Sequence, residues 1–145
     1  MLKQGGDGAI VNMASAAGLI GLPGAATYSA SKHGVIGLTK TAALENARNG
    51  IRVNVVCPAV IETPMAERAY SEPEFHKFAF GLHPIGRFGT TGEVAEAVVW
   101  MCSDRASFMT GQSLVLDGGL LAGGNSSELV WCPENTRQVP RTSLH

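Results

Sequence analysis

Two short apolar runs separated by one long helical stretch constrain this chain more than any other feature. Ala9-Ile10-Val11-Asn12-Met13, bounded by Gly8 and by the small residues Ala14 to Gly18, reads as a buried strand. From about Ala26 to Arg48 the period changes to that of a helix. Val35, Ile36, Leu38, Ala42, Ala43, Leu44 and Ala47 recur at helical spacing, and Asn49-Gly50 supplies the stop. Ile51 to Cys57 is a second strand, β-branched and closed off by Pro58. Two strands joined by so long a helix must run parallel, with a right-handed crossover.

Residues 59 to 90 carry Pro64, Pro73 and Pro84 among short helical patterns, and are expected to form a long excursion outside the core. Thr90-Thr91-Gly92-Glu93 fits a capping box, with Thr90 as N-cap and Glu93 reaching back to it. The helix it opens runs to about Ser103, with Val94, Val98, Met101 and Cys102 as its buried face and Trp100 expected in the core. Ser113 to Leu116 is a third strand, ended by Asp117-Gly118-Gly119, where Asp117 serves the turn. The order β-α-β-excursion-α-β belongs to an α/β sheet. Residues 123–145, which begin Gly123-Gly124-Asn125-Ser126-Ser127 and show little periodicity, are expected to be a poorly ordered tail.

Composition removes several function classes. Eleven Lys and Arg face twelve Asp and Glu with no basic run, so a nucleic-acid or anionic-membrane surface lacks its driving force. The apolar stretches are broken within about ten residues, short of the roughly 20 that span a bilayer. No secretory signal is read at Met1, where Lys3 and Gln4 lead into Gly5-Gly6-Asp7-Gly8. Cys57, Cys102 and Cys132 are odd in number and widely spaced, which suits free thiols in a reducing compartment, so a cytoplasmic location is expected. The histidines 33, 76, 83 and 145 have no metal-ligand spacing, and no metal is expected.

Tyr28 and Lys32 stand four apart on the long helix, one turn from each other on one face. An exposed helical pair would show the same spacing, so position is what sharpens it. Ser15 follows the end of the first strand and Tyr28 opens the next helix, so all three can converge at the carboxyl edge of the sheet, where α/β folds place their ligands. A hydrolytic Ser15–His33 pair lacks a nucleophile elbow and an orienting acid. Tyr70, Phe75, Phe78 and Phe80 fit either a cap over a substrate pocket or ordinary packing.

Ser15, thirteen residues before Tyr28-Ser29-Ala30-Ser31-Lys32, resembles the catalytic segment of classical short-chain dehydrogenases/reductases. The resemblance continues through Gly50 to Val56, Pro58 to Thr63, Pro84 to Gly89 and Val115 to Gly119, covering roughly residues 8 to 121 in the family's order. It implies a partial Rossmann-type doubly wound parallel sheet, comprising about the last three strands and their helices. It also implies hydride transfer between NAD or NADP and a small-molecule carbonyl or secondary alcohol, by an enzyme that is a homo-oligomer in full-length form.

By this resemblance Tyr28 is the general acid/base and Lys32 supports it while holding the nicotinamide ribose. Ser15 hydrogen-bonds the reacting oxygen, so that Ser15 and Tyr28 bind substrate. A free phenol has a pKa of about 10, and a working base near pH 7 needs roughly 4 kcal/mol. A cation at about 4 Å in an effective dielectric of 20 supplies about that much. Pro58, Ile61 and Thr63 match the segment that contacts the nicotinamide end of the cofactor, chiefly through the Ile61 backbone and the Thr63 hydroxyl. Ala59 replaces the family's usual glycine; a Cβ there could crowd the cofactor, or strain the backbone if φ is positive, and the replacement is read as tolerable.

No Gly-x-Gly-x-x-Gly turn occurs in the chain. Residues 1–122 therefore read as the C-terminal catalytic half of a short-chain dehydrogenase domain without its N-terminal cofactor-binding half. The alternative is a truncated, inactive fragment that works only by associating with a partner chain.

Overall fold

The computed structural model describes residues 1–3, 5 and 7–123 of the 145. Three parallel strands form one sheet, β1 (Gly8–Met13), β2 (Ile51–Pro58) and β3 (Ser113–Leu116), in that order. The β1–β2 register runs from Gly8 opposite Ile51 to Met13 opposite Val56, and β2–β3 from Val55 opposite Ser113 to Pro58 opposite Leu116. The central strand is the most buried element, with Val53, Val55, Val56 and Cys57 sealed from solvent. A parallel strand covered on both faces reads as this kind of continuous apolar run.

Side-chain alternation along β2 assigns the two faces. Val53 and Ile51 form one buried cluster with Ala43 of helix α1 (Ala26–Asn46), and Val55 and Cys57 another with Ala14 and Ile36. The intervening Arg52 turns to the other face. There its guanidinium donates to the carbonyls of Met101 (2.8 Å) and Ser103 (3.0 Å), at the C-terminus of the helix Thr91–Cys102, and so caps acceptors that the helix leaves open. Helices thus cover both faces of the sheet, as an α/β architecture requires.

The long helix ends through the 3₁₀ turn Ala47–Asn49 and Gly50, whose φ of 71° is available to glycine at little cost. Only its stripe Ser29, Ile36, Thr39 and Ala43 is buried. Leu38 and Leu44, expected on the same face, are 64% and 83% exposed. At 100° per residue Leu38 points almost opposite Ile36.

The region from Ala59 to Thr90 does carry short helices, but it does not lie wholly outside the core as expected. It folds into α2 (Pro64–Ala69) and α3 (Pro73–Gly81), with Pro at an opening position of each, and it contributes Ala79, Leu82 and His83 to the interior. The helix that follows, α4 (Thr91–Cys102), opens with the expected capping box: Thr90 Oγ1 accepts from the Glu93 amide (3.2 Å), and Glu93 accepts from the Thr90 amide (2.8 Å). Its buried stripe is Val94 and Met101. Cys102 is exposed and Trp100 is 36% exposed, because both lie well round the helix from that stripe. Trp100 is therefore a surface residue and not a core one. The segment expected to be a tail lies, beyond Gly123, outside the described residues.

Candidate active site

At the carboxyl end of β1 the chain stays in register for one more residue, as the Ala14 amide donates to the Val56 carbonyl (2.9 Å). Ser15 is extended and caps the 3₁₀ turn Ala16–Gly18, its Oγ accepting from the Ala17 amide (3.2 Å). The hydroxyl proton of Ser15 remains able to donate. Gly18 lets this turn lean on α1: a Cβ there would stand 2.9 Å from both the Ile36 side chain and the Lys32 carbonyl oxygen.

Lys32 reaches across this junction. Its Nζ donates to the Met13 carbonyl (3.3 Å) and lies 5.5 Å from the centroid of the Tyr28 ring. Tyr28 is 46% exposed, so its phenol opens to solvent at the same edge. Strand end and helix periodicity thus bring Ser15, Tyr28 and Lys32 into one neighbourhood. Cys57 lies beneath them, fully buried. Burial pushes its thiol up, against hydrogen bonds from the Ser113 side chain and the Ser15 backbone and the charge of Lys32. It packs with Ala14, Ile36 and Val55 as part of the floor of the site.

After the buried Pro58, the Ala59 amide donates to the Leu116 carbonyl (3.0 Å). No non-glycine among the described residues has a positive φ, so the condition for strain at Ala59 is not met, and this residue packs against Ala16, Leu82 and Leu120. Ile61 makes an isolated parallel bridge with Gly89: the Gly89 amide donates to the Val60 carbonyl (3.0 Å), and the Glu62 amide to the Gly89 carbonyl (2.8 Å). In a trans peptide N–H and C=O point in opposite directions. The Ile61 N–H and C=O must therefore both face away from Gly89, a donor and an acceptor on the same side and without partners among the described residues. Thr63 caps α2, accepting from the Ala66 amide (3.2 Å), and its hydroxyl proton stays available.

The aromatic residues of the excursion gather into one cluster. Tyr70 lies 5.2 Å from Phe75 between ring centroids, and Phe88 meets His76 at 5.2 Å, Phe80 at 5.7 Å and His83 at 5.5 Å. Burial, and secondarily the nearby Tyr28 phenol, pushes the Tyr70 phenol up. Sequence reasoning missed Phe88 and His83, because neither belongs to a periodic pattern. Elsewhere Asp117 does serve its turn, accepting from the amides of Gly119 (2.9 Å) and Leu121 (2.7 Å). Among the described residues no group of three His, Cys, Asp or Glu could hold a metal ion, and no helix is long and apolar enough to cross a membrane.

A family model described as enoyl-(acyl carrier protein) reductase, of the short-chain alcohol dehydrogenase type, matches residues 1–121. The chain belongs to the short-chain dehydrogenase/reductase family. It is 46% identical over 123 residues to a 2,5-dichloro-2,5-cyclohexadiene-1,4-diol dehydrogenase of Sphingobium indicum, a match that takes in 84% of this chain and 49% of that one. Among solved structures it resembles a 4-hydroxyisoleucine dehydrogenase mutant complexed with NADH and succinate, with a TM-score of 0.78 and 39% identity over 82% of this chain and 49% of that one. It also resembles ElxO with NADP bound, with a TM-score of 0.71 and 40% identity over 79% of this chain and 46% of that one. This member of the short-chain dehydrogenase/reductase family thus spans about half the length of the relatives it matches.

Proposed function

We propose that this chain carries the reaction end of an NAD(P)-dependent oxidoreductase that interconverts a carbonyl and a secondary alcohol. One arrangement supports this above all: a hydroxyl, a phenol and an ammonium group, from Ser15, Tyr28 and Lys32, gather at the carboxyl end of β1. NAD or NADP, when bound, accepts or supplies the hydride. Tyr28 exchanges the proton with the reacting oxygen as general acid/base. The Lys32 ammonium stands beside Tyr28, 5.5 Å from the centroid of its ring, as the cation of the group. The same ammonium would hold a ribose hydroxyl of the bound cofactor. Ser15 donates its free hydroxyl proton to the reacting oxygen and orients it beside Tyr28.

The cofactor fits the residues past β2. A carboxamide needs one acceptor and one donor on the same side, which the Ile61 N–H and C=O provide, and Thr63 adds a hydroxyl. Pro58 holds the strand end from which they project. Residues 1–122 would form the catalytic half of a dinucleotide-binding domain, with the phosphates cradled by further polypeptide, in keeping with relatives about twice as long. The test is NADH- or NADPH-linked turnover of a panel of ketones and secondary alcohols. Tyr28→Phe is expected to lower kcat by about 10² to 10⁴ while changing cofactor affinity by less than about threefold. Undiminished turnover in that variant refutes the role.

A further inference from the structure

His83 is the one imidazole of the described residues sealed inside the fold, at 4% exposure, and both of its ring nitrogens are engaged. Nδ1 lies 2.8 Å from the Ala79 carbonyl oxygen, and Nε2 lies 3.3 Å from the Val60 amide nitrogen. A carbonyl can only accept and an amide N–H can only donate. The network therefore assigns the neutral tautomer with the proton on Nδ1, where the imidazole donates to Ala79 and accepts from Val60. Phe88 lies edge-on to the ring at 5.5 Å. The side chain thus links the end of α3 to the strand-like segment that leaves β2.

The Val60 amide matters because Ile61 is the next residue in the chain. Val60 has its N–H on His83 and its C=O on the Gly89 amide. Those two bonds fix the peptides on either side of Val60, and the second of them is the peptide that carries the Ile61 N–H. Without His83 the Ala59–Val60 peptide would lose the acceptor of its part-buried N–H and would be free to rotate, carrying Ile61 with it.

We propose that His83 is a positioning residue: it holds the Val60 amide so that Ile61 presents its donor and acceptor together to the nicotinamide carboxamide. The proposal rests on the functional reading above. It also couples the α2–α3 region to the cofactor side of the site, since α3 cannot shift without moving the acceptor of Val60.

Two near-isosteres separate the ring's functions. Asn at position 83 can replace Nδ1 as donor to Ala79 but does not reach Val60. Gln puts an amide oxygen near the position of Nε2 and keeps the acceptor. In the full 145-residue chain, hydrogen exchange of the Val60 amide should be slow in the wild type and in His83→Gln, and faster by about tenfold or more in His83→Asn. Titrations with reduced nicotinamide mononucleotide, which carries the carboxamide without the adenosine half that further polypeptide would hold, followed by fluorescence, should show about tenfold weaker binding in His83→Asn and a change of less than about threefold in His83→Gln. Equal Val60 exchange in all three proteins overturns the link itself. Preserved exchange contrast with identical mononucleotide affinities overturns the positioning role. A wild-type chain that binds no reduced nicotinamide mononucleotide, yet shows the exchange contrast, overturns the functional reading and with it the positioning role, while leaving the His83–Val60 bond established.

Discussion

The β1–α1 unit and the segment from Ala59 to Gly89 would build two sides of the proposed site by different means. In the first, the groups proposed to react are local: Ser15 sits at a strand end, and Tyr28 and Lys32 are one helical turn apart on a partly exposed face. In the second, the important groups are backbone atoms, oriented by partners far along the chain, His83 for Val60 and Gly89 for Ile61. The difference teaches that reactive side chains can be exposed and locally spaced, whereas a backbone clamp needs buried, long-range bonds to stay in place. Loss of a reactive group should leave stability nearly untouched; loss of a buried organiser should not.

The largest effect expected on the local side is the fall in kcat of Tyr28→Phe, with a melting temperature close to that of the wild type. A strongly destabilised Tyr28→Phe protein would break the comparison. On the buried side the strongest case is Asn54, which donates to the Met109 carbonyl (2.7 Å) and accepts from the Gln112 amide (3.0 Å), so that it pins the approach to β3. Asn54→Ala strands both partners and should cost about 3 kcal/mol in urea unfolding; a loss below about 1 kcal/mol would contradict the organising role. Gly18 lies at the joint of the two behaviours. Gly18→Ala drives a Cβ against the Lys32 carbonyl and Ile36, and should cost about 1–2 kcal/mol and also lower kcat, as the Ser15 turn moves off α1.

The smallest effect belongs to an exposed bond. Hydrogen bonding from Arg87, helped by the Thr90 amide, holds the Glu93 carboxyl at about 2 against an ordinary 4.5. Because the folded value is the lower one, the stabilisation is complete above about pH 4.5 and is lost as pH falls towards 2. The melting-temperature gap between wild type and Glu93→Gln should therefore be constant above about pH 5 and close between 4.5 and 2. A gap that persists at pH 2 would show that Glu93 acts through packing.

The legibility of the chain follows the same division. The three strands, α1, the capping box of α4 and the stop at Gly50 are readable because each rests on local periodicity or on one residue's special chemistry. That Ser15, Tyr28 and Lys32 come together at the end of β1 is readable for the same reason. Periodicity fails for the apolar residues of α1 and α4, because it cannot say how much of a helix its neighbours cover: Leu38, Leu44 and Trp100 face outward. Whether Ala59 is strained is likewise invisible in the residue order, and only its backbone angle shows that it is not.

The sequence by itself determined the parallel strand-helix-strand frame, and with it the edge where a hydroxyl, a phenol and an ammonium group meet. Those outcomes depend on contacts within one or two turns and on the carboxyl ends of adjacent strands. Only the tertiary structure decided that Ile61 turns both of its backbone groups to one side, that His83 is a neutral, doubly bonded link rather than a surface histidine, and that Asn54 anchors a loop more than fifty residues away. Such bonds join residues with no fixed spacing along the chain. They exist because folding buries polar atoms that must then find partners wherever the packed chain brings them.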